Sequence, residues 1–312
     1  MSRHDCPPAL WELLERLARE TGRSPMMAAA GRVSRRYREE KGTSRTLRRP
    51  EEALAYALSR MPATYGAAHA ALEEALELTP GVRSLLDCGC GTGAVVLAAG
   101  ELTALPECRA LERESAMREV AARIFSELNV PCVPEEGDVL TSPLPGADLV
   151  TCGYVLGELA PEDRLRAAER MFAACRRGLL LLEPGTPEGY LTLARVRQHL
   201  EAAGARVAAP CPGRCALPEG DWCHFAVRVQ RSRTHRQLKE GSAPFEDEKF
   251  AWLYLTREDV NPGGARILRH PRVESGKITL RLCADGSVCD QEVRKKDPLW
   301  KRARKCAWGE RL

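Results

Sequence analysis

Leu10, Leu13, Leu14 and Leu17 recur at the spacing of a helix buried along one stripe, and residues 52–59 are rich in Ala, Leu and Glu, the composition of a second helical stretch. From about residue 80 the pattern changes. Short apolar runs alternate with amphipathic stretches, the form taken by parallel strands joined through crossover helices. Residues 82–87 read as the first strand, 108–112 as the second and 148–152 as a central one. Residues 178–182, Gly-Leu-Leu-Leu-Leu, have no polar alternation and read as a strand covered on both faces. Residues 94–101, 115–128, 161–175 and 191–203 fit helices. The expectation is an α/β fold with a doubly wound sheet and an N-terminal helical segment.

Beyond Ala203 the helical signal ends. Residues 205–210 and 223–230, where Phe225, Val227 and Val229 alternate with other residues, suggest two strands joined by a cysteine-bearing loop. Residues 277–283 alternate again, followed by an Ala-Asp-Gly turn and a return strand near Val288. Three regions result: 1–79, helical with a basic segment; 80–204, the α/β cofactor domain; and 205–312, a β-rich, cysteine-ligated extension.

With 312 residues, 44% hydrophobic and 29% charged, the chain can bury a sizeable core, and disorder is excluded. No run approaches the roughly 18 apolar residues of a membrane span, so no membrane role is expected. Asp5, Glu12, Glu15 and Glu20 fit neither a secretory signal nor an acid-poor presequence, which points to a cytoplasmic location. Thirteen cysteines in a reducing compartment read as buried thiols or metal ligands.

Residues 85–93, Leu-Leu-Asp-Cys-Gly-Cys-Gly-Thr-Gly, follow a strand and open a helix, the setting in which a nucleotide-type cofactor meets backbone. Gly89, Gly91 and Gly93 remove side chains where the ligand approaches. Asp87 stands two residues ahead of Gly89. Glu112 ends the next strand, where a carboxylate can accept both ribose hydroxyls, and Asp138 follows the third strand, where it can meet an adenine edge. A Gly-Lys-Ser/Thr phosphate loop is absent, which excludes the common ATPase reading, and the glycine spacing departs from that of dinucleotide-binding dehydrogenases. The motif resembles the first motif of class I S-adenosylmethionine-dependent methyltransferases, and the resemblance implies a Rossmann-like sheet with Asp87 near the methionine amino group and Glu112 on the ribose.

Cys211, Cys215 and Cys223 lie in one Pro- and Gly-punctuated loop, and Cys283 in the later β-extension could close a tetrathiolate. The spacing suits structural zinc or an iron–sulfur cluster alike. His224, directly after Cys223 in a strand, would point to the opposite face. Cys88 and Cys90 read as small buried loop residues.

The net charge of +4 conceals three basic clusters. Arg32, Arg35, Arg36, Arg38, Lys41, Arg45, Arg48 and Arg49 face only Glu39 and Glu40. Arg228, Arg231, Arg233, Arg236 and Lys239 follow the cysteine loop, and Arg294, Lys295, Lys296, Lys301, Arg302, Arg304 and Lys305 crowd the C-terminal region. Such density suits RNA phosphates. Trp252, Tyr254, Trp300 and Trp308 are candidates either for stacking on unpaired bases or for packing the extension.

Residues 60–65 (Arg-Met-Pro-Ala-Thr-Tyr), the glycine loop, 154–159 (Tyr-Val-Leu-Gly-Glu-Leu), 183–190 (Glu-Pro-Gly-Thr-Pro-Glu-Gly-Tyr), 221–225 (Asp-Trp-Cys-His-Phe), 246–250 (Glu-Asp-Glu-Lys-Phe) and 307–310 (Ala-Trp-Gly-Glu) form a series. It resembles the methyltransferase-like family associated with the mitochondrial small ribosomal subunit and its bacterial relatives. The resemblance implies S-adenosylmethionine binding, a 4Fe–4S cluster on Cys211, Cys215, Cys223 and Cys283, and a task on the small ribosomal subunit or its rRNA, with no DNA partner expected. The base-methylating signature, Asn or Asp followed by two prolines and an aromatic, is absent: residues 152–155 are Cys-Gly-Tyr-Val. No catalytic residue is therefore assigned, although Glu158 or Glu183 could orient an acceptor near Tyr154. The alternatives are a non-catalytic small-subunit assembly factor and a small-molecule methyltransferase with a zinc site.

Overall fold

The computed structural model describes residues 3–39, 47, 49–211, 217–238, 243–260, 263–284 and 286–312. Three helices come first: α1 (Pro8–Thr21), α2 (Arg23–Glu39) and α3 (Pro50–Leu78). The leucine stripe does what its spacing predicts, with Leu10, Leu13, Leu14 and Leu17 all buried. Helix α3 is far longer than the 52–59 stretch suggested by composition. Its 29 residues run through Pro62, and its many alanines let it lie close against several neighbours at once.

The α/β part follows as β1 (Ser84–Cys88), α4 (Ala94–Leu102), β2 (Glu107–Glu112), α5 (Ser115–Glu127), β3 (Pro134–Glu136), β4 (Ala147–Gly153), α6 (Pro161–Ala174), β5 (Cys175–Pro184) and α7 (Pro187–Ala202). Strand β1 begins later than residue 82 because the backbone N–H groups of Arg83 and Ser84 donate to the Asp148 carboxylate at 2.9 and 3.2 Å, tying that end to β4. Helix α7 begins four residues before the predicted 191. Thr186 caps it by accepting from the Gly189 N–H at 3.2 Å, and Pro187 suits the first helical position.

The chain continues through β6 (Arg206–Ala209), β7 (Phe225–Gln230), α8 (Arg233–Leu238) and β8 (Phe245–Thr256). These strands join the same sheet, whose order is β3-β2-β1-β4-β5-β8-β6, with β7 paired to the first half of β8. Strands β1 to β5 are mutually parallel, while β8 runs antiparallel to β5, β6 and β7. A parallel sheet with an antiparallel strand next to its edge is the Rossmann-like, doubly wound form expected from the sequence. Alternation decides its two faces: Leu180, Leu182, Trp252 and Tyr254 point to the layer of α1–α5, and Leu179, Leu181, Leu253 and Leu255 to the layer of α6 and α7. A sheet buried on both sides explains the unbroken leucine run.

A second sheet holds β9 (Arg266–Ile267), β10 (Arg272–Glu274), β11 (Lys277–Ala284) and β12 (Ser287–Arg294), followed by α9 (Trp300–Ala303). Its own small core is Ile267, Ile278, Leu280, Leu282, Val293 and Ala303. The expected strand and return strand are β11 and β12; residue 285 of the turn between them lies outside the described residues. Among the described residues no helix is long and apolar enough to cross a membrane.

Candidate functional site

Strand β1 delivers Asp87 and Cys88 into a loop whose geometry only glycine accommodates. Gly89 and Gly93 have φ of +75° and +93°. A Cβ on Gly89 would stand 2.5 Å from Val155 Cγ2, and one on Gly93 would enter the Phe125 ring. The loop is pinned to β2 by the Gly89 and Cys90 N–H groups, which donate to the Leu111 carbonyl at 2.8 and 2.9 Å. Helix α4 starts immediately after Gly93, so its N-terminal end faces the same space.

That space is a cavity at the C-terminal ends of β1, β2 and β4. Gly89, Gly91, Glu112 and Asp138 line it, joined by Glu114, Tyr154, Val155 and Glu158. Glu112 accepts from the Gly91 N–H at 2.9 Å with one oxygen and from the Glu114 N–H at 2.9 Å with the other. Asp138 accepts from the Leu140 N–H at 2.7 Å. Asp87 lies beneath the lining, with no exposed surface. One of its oxygens accepts from the Thr151 hydroxyl at 2.7 Å, and the other has no hydrogen-bond partner among the described residues. Burial, reinforced by the Glu112 charge and opposed by the Thr151 hydrogen bond, pushes the Asp87 carboxyl up to about 7. Gly93 shapes the loop and caps α4 without lining the cavity.

Helix α3 adds Tyr56, Met61 and Thr64 to the cavity wall, a contribution that helical periodicity in the N-terminal region did not reveal. Arg60, next to Met61, is ion-paired with Glu248 of β8 at 3.4 Å, and Glu248 accepts from the Tyr154 hydroxyl at 3.2 Å. Segments 60–65, 154–159 and 246–250 stand out in the sequence without an evident reason to meet; here they meet. Glu183 does not line the cavity. It is buried behind the tight turn Leu156–Glu158, accepting from the Gly157 N–H at 3.2 Å, and burial raises its carboxyl to about 8 against the opposing pull of backbone hydrogen bonds.

Cys211 and Cys283 are buried side by side with Leu268, and Cys223 packs against them. Cys215 lies outside the described residues, and among those described no group of three or more ligating side chains is set to hold a metal. Cys283 is disulfide-bonded. His224 is turned to another purpose: it stacks on Trp222 and meets the Trp308 ring edge-on. Cys88 and Cys90 are both buried.

The three basic clusters differ in what they have left to offer. Arg32 is paired with buried Glu52 at 2.7 Å, whereas Arg35 and Arg49 are exposed. Lys41, Arg45 and Arg48, and the side chains of Arg36 and Arg38, lie outside the described residues. In the second cluster, Arg228 is paired with Asp247 at 2.7 Å and Arg231 with Glu246 at 2.5 Å. Lys239 and the side chain of Arg233 lie outside the described residues. The third cluster is different. Lys295, Lys296, Lys301, Arg304 and Lys305 are exposed on the turn after β12, on α9 and just beyond it, with no ion pair among the described residues, while Arg294 is paired with Glu292 at 3.5 Å. Stacking on bases is ruled out for Trp252 and Tyr254, which are buried in the main core. Trp300 packs on the small core, and the Trp308 indole N–H donates to the His224 carbonyl at 3.1 Å.

A family model described as mitochondrial small ribosomal subunit Rsm22 matches residues 50–312. Solved structures that resemble the chain include a candidate RNA methyltransferase from Pyrococcus horikoshii, at 15% identity and TM-score 0.44, covering 64% of this chain and 86% of that one. Another is magnesium protoporphyrin IX methyltransferase from Synechocystis with bound S-adenosylmethionine, at 16% identity and TM-score 0.42, covering 64% and 84%. A third is the ribosomal protein L11 methylase of Lactobacillus delbrueckii subsp. bulgaricus, at 14% identity and TM-score 0.40, covering 62% and 78%. No curated protein sequence matches the chain.

Proposed function

The chain belongs to the Rsm22 family, described as mitochondrial small ribosomal subunit, and from that premise we propose that it binds S-adenosylmethionine in the cavity above β1, β2 and β4 and acts on the small ribosomal subunit or its rRNA. The observation that carries the proposal is the acid set around the glycine loop. A buried carboxylate with one unpartnered oxygen awaits a hydrogen-bond donor, and the cofactor's amino group, directly or through one water, is such a donor for Asp87. Glu112, already oriented by two backbone N–H groups, would accept from the ribose hydroxyls, and Asp138 would meet the adenine edge. Gly89 and Gly91 would let the ligand approach backbone. When bound, S-adenosylmethionine supplies an electrophilic methyl group on sulfur. Around it, this chain's residues would orient the ligand and exclude water; no lining side chain has the surroundings of a general base.

The cysteines extend the reading. Cys211, Cys215, Cys223 and Cys283 are proposed as thiolate ligands of a 4Fe–4S cluster, with structural zinc as the alternative for the same four atoms. The packing of Cys211 and Cys223 around Cys283 supports convergence. Either group requires Cys283 in its reduced form, so the disulfide and the bound metal are mutually exclusive states. The bound group would fasten the cysteine loop to the second sheet.

RNA docking is proposed for the exposed cations of the turn after β12 and of α9. One experiment tests the whole: anaerobically purified protein is given labelled S-adenosylmethionine and immature small-subunit particles from cells lacking it, with Asp87→Ala as control. Label in rRNA that the control loses supports a methyltransferase. Salt-sensitive particle binding without label supports the assembly-factor reading, which the absent base-methylating signature at residues 152–155 favours. Absence of both cofactor and particle binding overturns the proposal.

A further inference from the structure

Cys108 and Cys132 stand opposite each other at the edge of the main sheet. The β2–β3 ladder pairs Ala110 with Pro134, so the same register continued two residues back sets Cys108 against Cys132, and both side chains share the face of Ala110, towards the layer of α1–α5. Residues opposed across neighbouring strands are about 4.8 Å apart, inside the range that a disulfide can bridge. The side chains agree with the backbone: the adjacent Cys132 thiol, more than burial, holds that of Cys108 well above its ordinary value. A second pair has the same relation, since the β1–β4 register sets Cys88 against Cys152 one residue beyond Asp87 and Thr151. Access separates the two pairs. Cys88 and Cys152 are 0% and 1% exposed. Cys108 is half-buried and lines an open cavity of about 680 Å³ with Val96, Leu105, Pro106 and Val130, and buried Cys132 lies directly beneath the surface between exposed Pro131 and Val133.

Arg83 belongs to the lining of the same cavity, exposed and with no ion pair among the described residues, so a reagent that carries carboxylates is favoured there. We propose that Cys108 and Cys132 form a reversible dithiol–disulfide site whose oxidant is an anionic small-molecule disulfide of the glutathione type. Cys108, as thiolate, attacks one sulfur of the small disulfide; the S–S bond breaks, a mixed disulfide forms on Cys108, and the thiolate that leaves takes up the proton that Cys108 gave. Cys132, deprotonated in turn, attacks the Cys108 sulfur, closing the protein disulfide and releasing the second small thiol. Two protein thiols are oxidised, one small disulfide is reduced to two thiols, and no proton is gained or lost overall. Because Cys108 is held protonated at neutral pH, the first step quickens as pH rises. The product staples β2 to the segment leading into β3, an edge strand with only three paired residues. In a reducing compartment the dithiol prevails, and the staple closes under oxidising conditions.

The test incubates the full chain with glutathione disulfide, stops the exchange by alkylation and maps the cysteines by mass spectrometry. A Cys108–Cys132 linkage that dithiothreitol reverses is expected, with Cys88 and Cys152 still reduced. Oxidation is expected to raise the melting temperature of the wild-type protein, and Cys108→Ser to abolish that rise. Cys132→Ala is expected to stop the reaction at a glutathione adduct on Cys108. Arg83→Ala is expected to slow oxidation by glutathione disulfide about fivefold, the scale of one charge pair in water, and to leave oxidation by uncharged hydroxyethyl disulfide unchanged. Absence of the linkage in the wild-type protein, or linkage of Cys88 to Cys152 at the same rate, which reports unfolding, overturns the site. A melting temperature that rises equally in Cys108→Ser overturns the staple. An undiminished rate in Arg83→Ala, or an equal loss with the uncharged reagent, overturns the anionic oxidant.

Discussion

Arg266 grips the carboxylate of Glu74, a residue 192 positions earlier in the chain, with both terminal nitrogens of its guanidinium. The same side chain donates to the Pro210 and Gly309 carbonyls, at 2.8 Å for Pro210 and 2.6 Å for Gly309. Arg266 is almost wholly buried, so one residue of the second sheet holds α3, the end of β6 and the C-terminal segment together. Arg311 reinforces the junction by pairing with Glu74 at 3.4 Å.

Arg266→Ala leaves that carboxylate buried without its main partner, and a destabilisation of about 3 kcal/mol is expected. Limited proteolysis should cut near the second sheet well before the main sheet opens, and urea unfolding should separate into two transitions. Arg266→Lys, which lacks the bidentate fork, should restore only part of the stability.

Asp87 gives a pH dependence with a definite sign. Its carboxyl is raised to about 7 in the fold, from an ordinary value near 3.8. Its contribution to stability is therefore fully present below the unfolded value and is lost as pH rises towards 7, because the unfolded chain ionises first. Without ligand, the melting temperature should fall over that window, and Asp87→Asn should flatten the trend. Affinity for S-adenosylmethionine, measured by calorimetry, should instead improve as pH approaches about 7.5, where the carboxylate is charged and the ligand's amine is still largely protonated.

Glu183 behaves similarly but away from the cavity lining. Because its carboxyl is raised to about 8 by burial, it favours the neutral form through the physiological range, and its contribution to stability falls as pH rises from the ordinary carboxyl range to 8. Glu183→Gln, a neutral isostere that still accepts from the Gly157 N–H, should fold normally and remove this slope. A large loss of stability at pH 6 in that variant would contradict the assignment.

The basic clusters should separate by salt titration. Lys301→Glu with Lys305→Glu is expected to reduce the slope of log affinity against log salt by about 0.7 for each phosphate of single-stranded RNA that is no longer neutralised. Arg228→Ala is expected to change the slope little, since Asp247 already neutralises that guanidinium. Filter binding at several salt concentrations would distinguish the two.

The glycine loop, the leucine stripe of α1 and the apolar run of β5 were legible because each is a local pattern with one dominant cause. Strand β8 was not. Its first half, Glu246-Asp247-Glu248-Lys249, lacks the apolar alternation of a strand, yet Asp247 and Glu246 are paired with Arg228 of β7 and Arg231 just after it, and Glu248 reaches Arg60 and Tyr154. The polarity of the strand is answered by partners that local sequence cannot supply. The length of α3 is hidden in the sequence because Pro62 looks like a terminator, whereas packing on both sides carries the helix through it. In the candidate site, Glu112 and Asp138 could be found from their places after strands. The wall that α3 supplies could not, because it depends on how a helix outside the α/β pattern is laid across the sheet.

The antiparallel pairing of β8 with β5 also sets an order of events during synthesis. Until residues 245–256 emerge, β5 carries a run of four leucines with an unpaired edge, and β6, which among the described residues pairs with β8 alone, has no sheet to join. The nascent chain thus carries an open, apolar strand edge while more than sixty further residues are translated beyond β5, the kind of exposure that invites misassociation. Ribosome-bound intermediates stalled before β8 should therefore be strong chaperone clients, and those stalled after it should not.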